Sequence, residues 1–234
     1  MAADDQALVQ RTRATRVALA RWQERPWPVL GRWSALSLVI AGALLLAVWA
    51  VAQVATPDPT LVYIPGLDGA PDAADLARIL GGNGLVLALH AMACVAGFIA
   101  GSSMRLEAER RTGLARAIHV KAGVIAIAWV GIVTVFSLVT QAYTLGLIGS
   151  DLAGNLSISP TTLVLTVLPH AIPELVALFL PLAAWLFASR HGEWDQLLAA
   201  TIVTVAIAIP VLVVSALVEL TLWPALLEAV SPVA

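Results

Sequence analysis

The sequence predicts an all-α fold: a polytopic membrane bundle of five transmembrane helices, entering from the inside and ending outside. Composition is the first observation behind this. Of 234 residues, 60% are hydrophobic and only 12% charged, with a mean hydropathy of +0.90, whereas a soluble domain carries about 25% charged residues. The second is that the missing charge is accounted for by five long apolar runs with at most one charged residue each, near or above the roughly 20 residues a bilayer core requires. The third is the distribution of basic residues. Placing the N-terminus, the 102–121 stretch and the 189–195 loop inside collects six, five and one of the thirteen, leaving only Arg78 outside. That is the asymmetry of the positive-inside rule. A net charge of −2 says nothing about nucleic acid, and no basic, aromatic-interleaved surface suggests it as a partner.

Residues 1–33 are expected to form a cytoplasmic arm with six arginines (Arg11, Arg13, Arg16, Arg21, Arg25, Arg32) against three acids. Leu8, Val9, Val17, Leu19 and Trp22 have a spacing that suits a helix on the inner membrane surface. Trp22, Trp27 and Trp33 then sit at headgroup depth. The arm reads either as a docking element for lipid or partner, or as a topology signal. The first span is expected at about 34–55 and is too long for a cleavable leader, although Ala50-Val51-Ala52 imitates a cleavage site. Residues 56–80 follow as a Pro-, Gly- and Asp-rich loop, with Asp72 a natural N-cap for a short helix. The second span, about 83–101, contains His90 and the pair Gly97 and Gly101, a small-x-x-x-small face for close helix contact. Cys94, the single cysteine, lies in an apolar run and reads as a packed hydrophobe.

Residues 102–121 are strongly charged and suit a solvated helix. The third span is expected at about 122–147 and the fourth at about 161–188. A tight 189–195 loop then leads to the fifth, about 196–223, which Pro224 should end. Residues 225–234 remain as a short external tail, and residues 34–224 form one membrane domain. Within the fourth span, Pro173 removes the hydrogen bond to the Pro169 carbonyl, so a break or kink is expected at Pro169–Pro173.

Ionisable groups at bilayer depth are costly and tend to mark function. Counting about 1.5 Å per residue from the outer ends of the spans, His90 lies roughly 10 Å deep, His170 about 14 Å, Glu174 about 20 Å and Glu219 about 6 Å. Gln141 and Tyr143 fall near the same level, and Asn83 opens the second span. The expected functional cluster is therefore His90, Gln141, His170, Glu174 and Glu219, set in the outer half of the membrane. His170 and Glu174 share a helix face at i, i+4. They read as a structural hydrogen bond at the helix break, as a proton- or ligand-handling pair, or, with His90 and Glu219, as four ligands for a divalent metal such as zinc. Ser215 offers Glu219 a local partner one turn earlier. His119 and His191 are expected at the cytoplasmic edge. No phosphate loop, nucleophile elbow or Cys-x-x-Cys is present, so nucleotide hydrolysis and redox chemistry have no sequence support. No cofactor is required, apart from that metal option.

The run Leu168-Pro169-His170-Ala171-Ile172-Pro173-Glu174-Leu175, followed by an Ala-rich span, resembles the signature of the stage II sporulation protein M family. Ser215-Ala216-Leu217-Val218-Glu219 and Pro224 resemble that family's last span. Asn83-Gly84 and Tyr143-Thr144-Leu145-Gly146 match further family positions, so the likeness covers about 80–224. Ala171 stands where the family has glycine, Pro173 is an added proline, and residues 1–79 show no match. The resemblance implies an integral protein of the bacterial inner membrane that organises peptidoglycan-remodelling or other envelope partners, and not an enzyme. Arginine supplies every basic residue except Lys121, in keeping with a bacterial source. Two other readings stay open from the residues alone: a transport or permease component with a protonatable outer-leaflet cavity, and an intramembrane metal-dependent hydrolase. Expected partners are the lipid bilayer and other membrane or envelope proteins, with a second copy of the chain as a further option.

Overall fold

The computed structural model describes residues 13, 15–60, 63–103 and 112–233. Among them there is no strand, and five helices are long and apolar enough to cross a membrane. The chain is a multi-pass membrane protein. The five are α1 (Pro26–Val54), α2 (Ala73–Phe98), α3 (Gly113–Asn155), α4 (Pro160–His191) and α5 (Leu197–Val230). A π-helical turn, Ile99–Ser103, extends α2, and a 3-10 turn, Trp194–Gln196, precedes α5. Residues 15–24 are also helical.

Every helix is longer than its apolar run. Once a helix has satisfied its own backbone, polar flanks continue it cheaply, and specific signals set the ends. Pro26 starts α1 at the position where its missing N–H costs nothing, so the boundary expected at 33/34 falls inside α1. Asp72 does cap a helix, accepting from the Ala74 and Asp75 amides at 2.7 and 2.9 Å while Asp75 accepts from the Asp72 amide. That helix, however, runs straight on into the second span. Gly192 (φ +69°) closes α4, with the Glu193 amide bonded back to Ala188 O at 3.0 Å, a Schellman end. Neither Pro210 nor Pro224 stops α5. The expected tail therefore shortens to the last few residues, because Leu227 is fully buried and holds the final turns in the core. Likewise α4 passes Pro169 and Pro173 as one helix. The prolines delete single bonds, but the neighbouring turns keep theirs, since lipid offers no other partner.

The chain forms two compact units, and each of the five helices contributes residues to both. The first comprises Met1–Ser37, Leu87–Thr134 and Leu178–Ile207. Its core sets Trp22 against Trp33 edge to face, ring centroids 5.2 Å apart, on small residues of α4 and α5 (Ala183, Ala184, Ala199, Ala200). The helical part of the arm thus packs on its own protein, and of the three tryptophans expected at headgroup depth only Trp27 is exposed. Leu8, Val9 and residues 104–111 lie outside the described residues. The Gly97–Gly101 face does make a close contact, though with indole rings instead of a helix backbone. A Cβ on Gly97 would lie 2.7 Å from Trp185 Nε1, and one on Gly101 would run into the Trp194 ring. Cys94 is fully buried and its thiol donates to Pro181 O at 3.0 Å.

The second unit comprises Leu38–Val86, Val135–Ala177 and Ala208–Ala234. Ile64, Leu152, Ala153, Leu156, Leu163 and Leu227 form its core. Here α1 and α3 approach closely, because a Cβ on Gly146 would stand 2.5 Å from Val51 Cβ. The loop after α1 is tied down by polar contacts. Asp151 accepts from the Asp58 amide at 2.7 Å, Asn155 donates to Thr60 O, and Asp68 accepts from the Ile64 amide. Gly66 (φ +89°) lets that loop turn directly against Pro224 and the Leu220 carbonyl.

Candidate functional site, a buried polar ladder between two helices

Two stripes of side chains spaced four apart run along α4 and α5 in the second unit. Thr166, His170 and Glu174 occupy one stripe, and Ser215, Glu219 and Trp223 the other. The helices run antiparallel, so the stripes pair in reverse order. Trp223 Nε1 donates to Thr166 Oγ1 at 3.3 Å, and the His170 ring lies against the Trp223 ring with centroids 5.6 Å apart. Glu174 and Glu219 come within electrostatic reach of one another. Asn83 on α2 approaches Glu174 from a third helix.

What sets this group apart is unmet hydrogen-bonding capacity. His170 Nδ1, Glu174 Oε2, Asn83 Nδ2 and Ser215 Oγ are all buried with no hydrogen-bond partner. Asn83 stands close enough to Glu174 to act on its charge, yet its Nδ2 makes no hydrogen bond of good geometry. Buried polar groups are nearly always paired, and each exception calls for an explanation. The contrast with neighbouring hydroxyls is plain. Ser37, Thr134, Thr201, Thr204 and Thr221 all fold back on a carbonyl one turn earlier. Ser215, 1% exposed, does not. It therefore gives Glu219 no hydrogen bond, contrary to the sequence expectation. No hydrogen bond joins His170 to Glu174 either, so the pair is not the direct imidazole–carboxylate lock that their spacing permits. A site with an underused carboxyl, imidazole, amide and hydroxyl beside a second carboxyl is chemically fit to hold a proton, water or a small polar solute.

The remaining expected members make other contacts. His90 is buried in the first unit, its ring edge-on to Phe179 at 5.4 Å with Nδ1 unpaired. Gln141 spends its amide on its own helix, donating to Ser137 Oγ at 3.0 Å. The four metal-ligand candidates His90, His170, Glu174 and Glu219 are thus divided between the units. Among the described residues no three His, Cys, Asp or Glu side chains gather as ligands for one ion. The donor set does not fit the divalent-metal option. His191 is exposed at the end of α4, stacked on Phe187 and bonded to its carbonyl.

Thr166 and Trp223 extend the site beyond its expected members. The signal for them is present in the sequence as the four-residue periodicity on either side of His170 and Glu219. In the extramembrane loop, the hydroxyl and amide of Thr60 bond the Asp58 carboxylate and hold it below the usual carboxylate range. Comparison with protein-family models, curated proteins and solved structures finds no match for this chain.

Proposed function

We propose that this is a protein of the bacterial inner membrane, similar to the stage II sporulation protein M family, that organises envelope or membrane partners and catalyses no reaction. The observation that carries this reading is the third span. Only 11% of its apolar window is buried, against 44% for the second. Large side chains including Ile125, Trp129 and Phe136 stand open along it, an apolar helix surface available to another membrane protein. The ladder on α4 and α5 coincides with the motif on which the family likeness rests. A photocrosslinking residue in place of Trp129 or Phe136, in cells of the native host, tests the reading. Discrete adducts with an envelope protein are expected, while adducts with lipid alone would refute it. Turnover of a lipid or peptide by the purified protein, abolished in His170→Ala or Glu174→Gln, would also refute it.

One observation favours a second reading, a transport or permease component. It is the set of unpaired groups on Asn83, His170, Glu174 and Ser215 beside Glu219, since intramembrane ionisable residues commonly mark solute or proton paths. Proteoliposomes should then show a pH-dependent flux that Glu174→Gln alters. Identical behaviour of the two proteins across pH removes this reading.

A further inference from the structure

In the first unit, two cavities adjoin beneath the bend that joins the N-terminal helix to α1. One, of about 590 Å³, is lined by Arg21, Arg25 and Arg32 together with Glu24 and Glu193. The other, of about 280 Å³, is almost wholly apolar, lined by Leu19, Pro26, Leu30 and Val203 among others. They share the walls Trp22, Val29 and Trp33. A charged chamber thus opens beside a greasy one, divided by two indoles.

We propose that the pair of cavities binds one anionic glycerophospholipid, its phosphate under the three arginines and the start of an acyl chain in the apolar chamber. Several observations converge on that occupant. The larger cavity falls within the usual size range of small-molecule sites. Three guanidinium groups outnumber two carboxylates there, and no described carboxylate lies within ion-pair distance of Arg21, Arg25 or Arg32. Arg21 instead donates to Gln196 Oε1 at 2.9 Å, which orients its fork. Guanidinium forks match phosphate oxygens in geometry as well as charge, and basic pockets between membrane helices are suited to anionic headgroups. The apolar chamber selects a lipid over a soluble phosphate, because a free phosphate leaves it empty. Location agrees, since Pro26 and the arginines stand at the N-terminal edge of the first span, on the side the basic residues assign to the cytoplasm. The arm then serves as one wall of a lipid site, beyond its part in topology.

Binding of full-length protein in detergent tests this, read by quenching of tryptophan fluorescence with brominated-chain lipids. Phosphatidylglycerol and phosphatidylcholine with the same chains are compared, with glycerol 3-phosphate as soluble competitor. Phosphatidylglycerol is expected to bind at least about tenfold tighter than phosphatidylcholine. Arg25→Gln with Arg32→Gln should remove that preference, while Arg78→Gln, a basic residue in the other unit, should leave it intact. Val203→Phe, which fills the apolar chamber, should weaken phosphatidylglycerol while sparing the arginines. Should the double glutamine variant fail to fold, Arg25→Lys with Arg32→Lys keeps the charge without the fork and should bind phosphatidylglycerol several-fold more weakly. Equal binding of the two lipids, indifference to the arginine variants, or competition by glycerol 3-phosphate at the lipid's own concentration would each overturn the proposal.

Discussion

Replacing Gly146 with alanine would test how closely α1 and α3 pack. A Cβ at this position would lie 2.5 Å from Val51 Cβ and 3.0 Å from the Val48 carbonyl oxygen. Ordinary contact begins near 3.4 Å, so the helices must part by most of an ångström. The atoms in the way are a β-branched stem and a backbone oxygen, neither of which can swing aside as a flexible side-chain tip does. Overpacking of this kind costs about 1–3 kcal/mol. Alanine also gains roughly 1 kcal/mol of helix propensity over glycine, which masks part of the loss. Gly42→Ala in α1 supplies the control, since nothing lies within 4 Å of a Cβ there. Both variants share the propensity gain, so their difference isolates the steric term. Equilibrium unfolding in mixed micelles should place Gly146→Ala below Gly42→Ala by about 1–3 kcal/mol. Equal stability of the two variants would refute the close approach of α1 and α3.

Other perturbations address the loops and the core. Asp72→Ala removes the cap of α2 and should cost about 1 kcal/mol, seen as faster amide exchange at Ala74 and Asp75. Ser157 ends α3 with φ +54°, so Ser157→Gly should stabilise the protein by up to about 1 kcal/mol, and a lower unfolding midpoint would contradict that end geometry. The hydrogen bonds of Asp58 favour its charged form. Its contribution to stability is therefore present above the ordinary aspartate range and lost as pH falls through the depressed folded value. Thr60→Val should move the Asp58 titration upward, as read by carboxyl NMR, and an unmoved titration would exclude Thr60 as the cause. The Cys94 thiol is enclosed and bonded to Pro181 O. It should resist a membrane-permeant maleimide until the protein unfolds, whereas rapid labelling of folded protein would show the α2–α4 contact to be open.

Part of the candidate site is legible in the sequence. His170, Glu174 and Glu219 stand out because charge is rare in a span, and their four-residue spacing already assigns them to faces. Gln141 and His90 illustrate the limit of depth counting, which gives a level along a helix axis but not the direction a side chain takes around it. Gln141 turns to Ser137 on its own helix, and His90 to Phe179. Ser215 fails for a related reason. Proximity in sequence offers a hydrogen bond, yet its rotamer answers to the packing around α5. Helix ends depart from the apolar runs in the same manner. Asp72 and Pro26 are readable as starts, but the survival of α5 past Pro224 depends on Leu227 finding a buried place.

The sequence by itself determined the class and the number of spans and singled out His170, Glu174 and Glu219 as candidates, because each follows from transfer cost and helical period, and both are properties of a local segment. Tertiary structure alone decided which faces meet. It set α4 against α5 so that Thr166, His170 and Glu174 oppose Trp223, Glu219 and Ser215, and it left four of the surrounding polar atoms without partners. It also folded the helical part of the arm, through Ala18 and Trp22, onto alanines of α4 and α5. Pairing between distant segments depends on complementary shape across the whole bundle, here on small residues such as Gly97, Gly146 and Ala183 that admit a neighbour's bulk, and no local pattern encodes which neighbour will arrive.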